Sequence, residues 1–132
     1  DTWSSELGVI SKKSPRLILS GKKVPPGISG GVSLLGSIAG IAGSFVIALV
    51  FLAFTESLEG SFIVLISGIF GFLVDSVSGE LFQALYLSEK GSNTEHPSGK
   101  LVKGLHWITN DFINFICTFS AAALSFALCY FF

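Results

Sequence analysis

Apolar positions fall into three long runs separated by short polar stretches. Val32–Thr55 holds 24 residues without a charged side chain, more than the ~20 that a helix needs to cross a bilayer core. Phe112–Phe132 is another such run, of 21 residues. Between them, Ser61–Val74 is apolar but short of a full span, and it continues through Asp75 and Glu80 to Leu87. The pattern predicts three transmembrane helices, over 32–55, 61–87 and 110–132, in an all-α polytopic fold that forms part of a larger helical membrane domain. On the second helix Asp75 lies 14 residues after Ser61. That is about 21 Å along the axis, past the midplane of a core about 30 Å thick.

Charge sets the expected orientation. Lys12, Lys13, Arg16, Lys22 and Lys23 precede the first helix, and Lys90, Lys100 and Lys103 follow the second. The loop between those helices, Glu56–Gly60, has two Glu and no basic residue. All eight positive charges therefore fall on one side. By the positive-inside rule that side is cytoplasmic, or a topologically equivalent stroma or matrix. Segments 1–31 and 88–108 are then expected on the cytoplasmic face.

Composition narrows the class. Half the residues are apolar, the mean hydropathy is +0.72, and 8 Lys+Arg with 9 Asp+Glu make 13% charged. A soluble domain carries about twice that share, so a soluble enzyme and a disordered tail are both excluded. The net charge of −1 argues against nucleic acid as a partner, which needs a basic surface. No Met is present, even at position 1, so the chain is expected to be part of a longer protein. Cys117 and Cys129 sit in one apolar run and read as packing residues.

Four polar clusters could carry chemistry. In Asp1-Thr2-Trp3-Ser4-Ser5-Glu6-Leu7-Gly8, a helix would gather Asp1 and Glu6 with several hydroxyls, a set suited to Mg²⁺; a solvated helix end is the plainer reading. In Gly21-Lys22-Lys23-Val24-Pro25-Pro26-Gly27-Ile28-Ser29-Gly30-Gly31, glycines at 27, 30 and 31 permit close backbone approach. Lys22 and Lys23 add cations beside the positive end of the first helix, although a turn with a topology-setting basic pair accounts for the same residues. Gly71, Asp75, Gly79 and Gln83 are spaced four apart on the second helix. An acid at that depth normally faces protein or a wet cavity. Asn110 and Asn114 share a face at the start of the third helix, where Asn110 would otherwise serve as an N-cap. Gly36-x-x-x-Gly40 reads as a helix-packing motif.

All four clusters fall towards one membrane face. Carboxylates, lysines, a glycine turn and amides are the means of phosphoryl transfer, where positioning and charge stabilisation do most of the work. Asp1, Glu6 and Asp75 are expected to hold Mg²⁺, Lys22 and Lys23 with Gly27, Gly30 and Gly31 to hold phosphates, and Asp75, Asn110 and Asn114 to serve the reacting centre.

The blocks Asp1-Thr2-Trp3-Ser4-Ser5-Glu6-Leu7-Gly8, Ser14-Pro15-Arg16-Leu17-Ile18, Gly21-Lys22-Lys23-Val24-Pro25-Pro26-Gly27 and Gly30-Gly31-Val32-Ser33 resemble the integral membrane family of transmembrane protein 19 and the phytyl-phosphate kinases (domain-of-unknown-function family 92). Gly71-Phe72-x-x-Asp75-Ser76-x-x-Gly79 and Asn110-Asp111-x-x-Asn114 fit it as well. The turn has Ile28-Ser29 where that family usually has Thr-Asn or Thr-Glu. The resemblance implies further helices upstream and phosphorylation of an isoprenoid phosphate by a nucleoside triphosphate, with CTP suggested by more distant phytol and dolichol kinases. It also implies an endomembrane such as the endoplasmic reticulum, or a plastid membrane. The competing expectation is a non-enzymatic multi-pass protein, either a transporter portion or a structural subunit. A transporter site should lie nearer the bilayer midplane.

Overall fold

The structure, a computed structural model, describes residues 1–88, 91, 93–97 and 99–131. Lys90 and Phe132, which entered the expected orientation and the expected end of the third helix, lie outside the described residues. Among those described, the order is α1 (Thr2–Val9), β1 (Arg16–Leu17), β2 (Gly31–Val32), α2 (Leu34–Thr55), α3 (Leu58–Leu81), β3 (Leu85–Leu87), β4 (Asn93–Thr94), β5 (Lys100–Lys103) and α4 (Asn110–Phe131).

The helices α2, α3 and α4 are each long and apolar enough to cross a membrane, with mean hydropathies of 2.4, 1.9 and 1.9. Each begins where a short hydroxyl side chain takes an otherwise orphaned backbone N–H. Ser33 Oγ accepts from the Gly36 N–H and Ser57 Oγ from the Gly60 N–H, both at 3.1 Å. For α4 the hydroxyl is Thr109 Oγ1, which accepts from the Phe112 N–H at 3.4 Å. The cap is therefore Thr109, and Asn110 is the first helical residue. At the far end of α2, Glu56 takes a left-handed conformation (φ 55°) and its N–H closes on the Leu52 carbonyl. This turns the chain straight into α3.

The helices pack through small residues and turn their bulk outwards, as lipid-facing helices do. The buried positions of α2 are Gly36, Ala39, Gly40 and Ala48. Exposed side chains include Leu34, Ile38, Phe45 and Phe54 on α2, and Phe115, Phe119 and Phe126 on α4. The helix α2 lies between α1 and α3, and α3 between α2 and α4. Gly68 of α3 approaches Ser44 of α2, and Gly71 faces Cys117 and Ala121 of α4.

Thr2–Val9 form a helix that keeps one side against the first span. The helix α1 runs antiparallel along α2: Gly8 meets Ser33 and Gly36, Ser4 meets Gly36 and Gly40, and Trp3 covers Gly43. Gly43 is nine residues into α2, about 13 Å along its axis. The glycines of the Gly36-x-x-x-Gly40 motif are thus the bed on which α1 lies.

The helix expected over 61–87 ends at Leu81, and 85–87 form the central strand of an antiparallel sheet of order β4-β3-β5. The segment after it, 88–108, supplies the other two strands. Long-range backbone bonds outcompete further helix here. Ala84 N–H donates to the Ile108 carbonyl at 3.1 Å and Leu105 N–H to the Phe82 carbonyl at 3.0 Å. Gly104, at φ 77°, passes so close beneath the Gln83 carbonyl that a Cβ would collide with it. A second ribbon pairs β1 with β2 (Arg16↔Val32, Leu17↔Gly31), and a bridge joins Arg16 to Lys23.

Candidate functional site

The glycine turn, α1, and the polar ends of α3 and α4 enclose one cleft of about 290 Å³. Its walls carry Asp1, Thr2, Ser5 and Glu6 from α1 and its cap, and Gly27, Ser29, Gly30 and Gly31 from the turn. Asp75 and Ser76 come from α3, Glu95 from the segment after β4, and Asn110 and Asn114 from α4. Residues separated by more than a hundred positions therefore meet at one end of the helical bundle. Eight of the ten residues singled out from the sequence are here: Asp1, Glu6, Gly27, Gly30, Gly31, Asp75, Asn110 and Asn114.

Lys22 and Lys23 are not. Consecutive residues of an extended chain point to opposite faces, so the pair cannot serve one site. Lys23 lines a neighbouring basic cleft, and Lys22 lines a shallow one with Glu80 and Lys103. Among the described residues, the acidic cleft and the Lys23 cleft share only Val32 and Ser33.

The three expected metal ligands line the cleft without converging on a point. Among the described residues no group of three or more His, Cys, Asp or Glu is arranged to hold a metal ion. The reason lies in α1: Asp1 and Glu6 are five residues apart, about 7 Å along a helix axis. What remains is a set of one or two carboxylates with open positions. Asp75 is half-buried, and its Oδ1 is buried with no hydrogen-bond partner among the described residues. A buried carboxylate oxygen left this way is costly, which marks it as an atom suited to an external cation or donor.

The turn is fixed by packing rather than shaped loosely around a ligand. Gly30 is buried at φ 77°, and a Cβ there would lie 2.5 Å from the Glu80 nitrogen and 2.7 Å from its Cα. From the other side, a Cβ on Gly79 would come within 2.9 Å of the Gly30 nitrogen. Gly30 and Gly79 therefore let the turn and α3 touch backbone to backbone. Gly27, at φ 85°, has open space around its Cβ direction.

Two acids not singled out from the sequence build this framework. Glu80 is buried, and its carboxylate accepts from the Leu19 N–H at 2.7 Å and the Ser20 N–H at 3.0 Å. Glu95 Oε1 accepts from the Ser29 N–H at 2.6 Å, and its Oε2 from the Gln83 amide at 2.8 Å. Glu95 thus ties the glycine turn to the end of α3. Gln83 lies past the end of α3 rather than on its face, and it is buried. These partners are 60 to 66 positions apart for the two glutamates and their loops, so no local spacing announces them; a Glu near the end of an otherwise apolar helix was the one available signal.

Three apolar spans, with Asp75, Asn110 and Asn114 gathered at one end of the bundle, define a multi-pass integral membrane protein. The chain belongs to the integral membrane protein DUF92 family, whose model matches residues 1–122. It is similar to Protein PGR of Arabidopsis thaliana, with 33% identity over 131 residues covering 88% of this chain and 46% of that protein. It is also similar to an uncharacterized membrane protein of Methanocaldococcus jannaschii, with 34% identity over 96 residues covering 73% of this chain and 39% of that protein. The chain thus spans less than half the length of these curated relatives. No solved structure matches it.

Proposed function

We propose that the acidic cleft is part of the phosphotransfer site of an isoprenoid-phosphate kinase completed by the rest of the parent protein. The observation that carries this reading is Asp75 Oδ1, a buried carboxylate oxygen with no hydrogen-bond partner among the described residues, in a cleft that also holds Asp1, Glu6, Asn110 and Asn114. A few carboxylates without a closed protein cage suit Mg²⁺, which keeps water and phosphate oxygens among its ligands. When bound, the metal would neutralise the charge on the transferred phosphoryl group.

The chain's own residues do the rest. Asp75 with Asp1 or Glu6 would hold the cation, and with it the phosphates of a nucleoside triphosphate, for which CTP is the candidate by resemblance. The amides of Asn110 and Asn114 donate to phosphate oxygens and orient them. The acceptor is an ionised lipid phosphate, so no base is needed to strip a proton from it. One of its oxygens forms a bond to the γ-phosphorus as the bond to the β,γ-bridging oxygen breaks, and a nucleoside diphosphate leaves. The cleft lies at the end of the bundle, where a headgroup in water and a tail among lipid-facing helices can be served together.

The test uses the full-length parent protein in lipid, with Mg²⁺, γ-labelled CTP and phytyl monophosphate. Labelled diphosphate should form, and Asp75→Asn should lower turnover at least about a hundredfold, the scale of losing a main electrostatic group. Undiminished turnover in Asp75→Asn refutes the assignment. If the wild type forms no labelled diphosphate, the isoprenoid-phosphate kinase reading fails and the non-enzymatic multi-pass reading is favoured.

A further inference from the structure

The segment before α2 arranges three cations on one surface that the acidic cleft does not use. The cleft they line has a volume of about 410 Å³, and Lys13, Arg16 and Lys23 lie in its wall with Ser11, Ser14 and Leu34. Among the described residues none in its lining is acidic. The backbone dictates this clustering. Leu17 N–H donates to the Lys22 carbonyl and Val24 N–H to the Pro15 carbonyl, so Arg16 and Lys23 face each other as a non-hydrogen-bonded antiparallel pair. Side chains of such a pair lie on the same face and come closest together. Arg16 also pairs with Val32, which puts both cations on the face that leads into α2.

Like charges set directly opposite each other in a ribbon destabilise it. The Arg16 guanidinium is tethered by one bond from its Nη1 to the Gly21 carbonyl at 3.0 Å, and both Arg16 and Lys23 line the cleft. An anion between them relieves the repulsion. The place of the cleft says which kind. Leu34 forms its lower edge and is 74% exposed, and Ile38, one turn further along the membrane-spanning helix, is exposed too. A ligand seated among the cations therefore borders lipid-facing apolar surface directly.

We propose that this cleft seats the phosphate head of an anionic acyl lipid whose chain runs down α2 past Leu34 and Ile38. The inference rests on the ribbon and the cleft, and holds whether or not the acidic cleft transfers phosphate. Because the two clefts share the Val32–Ser33 wall, a lipid phosphate held here stands next to the acidic cleft on the other side of one strand.

Native mass spectrometry of the full-length parent protein in detergent tests this, with titrations of phosphatidic acid, phosphatidylcholine and inorganic phosphate. Phosphatidic acid should bind about tenfold or more tightly than the other two. Juxtamembrane cations act strongly on lipid charge, so Lys13→Ala/Lys23→Ala should remove about tenfold or more of that preference. Lys13→Arg/Lys23→Arg should retain it. Lys22→Ala/Lys100→Ala removes the same charge outside the cleft and should change binding less than twofold. Equal losses in the two alanine pairs overturn the site in favour of a diffuse basic surface. Inorganic phosphate binding as tightly as phosphatidic acid overturns the lipid seat. A binding loss in the arginine pair, with an unfolding temperature matching wild type, also counts against it.

Discussion

Gly30→Ala is the sharpest probe of how the cleft is built. The residue sits at φ 77°, where a side chain costs about 1–2 kcal/mol on backbone grounds alone. Its new Cβ would lie 2.5 Å, 2.7 Å and 2.8 Å from the nitrogen, Cα and Cβ of Glu80. Two of those three atoms are helix backbone and cannot rotate away. Ordinary contact requires the turn and α3 to part by roughly 1 Å, and overpacking of this kind costs about 1–3 kcal/mol. The sum is about 2–5 kcal/mol. Gly27→Ala is the matched control, because Gly27 has a similar φ of 85° but nothing within 4 Å of its Cβ position. It should lose only the backbone part, about 1–2 kcal/mol. Unfolding free energies of the full-length protein in bicelles, measured by steric trapping, separate the two. Equal losses, or a neutral Gly30→Ala, would falsify the claim that the turn and α3 meet backbone to backbone.

Other outcomes follow from the same geometry. Glu80→Ala removes two charge-assisted hydrogen bonds to the exposed N–H groups of Leu19 and Ser20, so the 19–20 segment should loosen from α3. Hydrogen exchange at 19 and 20 should quicken, and unchanged protection there would refute the anchor. Gly71→Leu presses on Ala121 and Cys117, where a Cβ already lies at 3.2 Å and 3.5 Å. It should cost about 1–3 kcal/mol in the same steric-trapping assay, whereas Leu73→Ala on the exposed face should cost under about 0.5 kcal/mol. In a protein lacking Cys117 and Cys129, cysteines introduced at Gly27 and Lys100 should be labelled from one side of the membrane, and one at Glu56 from the other. Labelling of Gly27 and Lys100 from opposite sides would leave no shared cleft.

The spans were legible because lipid imposes a local rule. A helix must satisfy its own backbone and carry enough apolar residues to cross, and Val32–Thr55 and Phe112–Phe132 state this in composition alone. The candidate site was legible in part for a related reason. Charged and amide groups are so rare in such a chain that Asp75, Asn110 and Asn114 stand out, and they do line one cleft with Asp1 and Glu6. The two lysines line different clefts, because adjacency in sequence is not adjacency in space. A bridge between 16 and 23 makes that stretch extended, and extension sends neighbours to opposite faces. The helix expected to run to Leu87 stopped at Leu81 for a reason absent from the local pattern, since its competing hydrogen bonds come from residues 101 to 108.

Membership of the bilayer, the number of long apolar spans and the short list of residues able to carry charge were settled by the order of amino acids, since each depends on hydrophobicity over a stretch no longer than one helix. The folded chain alone decided which of those charges share a cleft. That choice rests on glycines letting α1 lie on α2 and the turn lie on α3, and on Glu80 and Glu95 reaching loops more than sixty residues away. Such contacts have no period and no spacing, because a close approach between distant backbones is a property of two surfaces together.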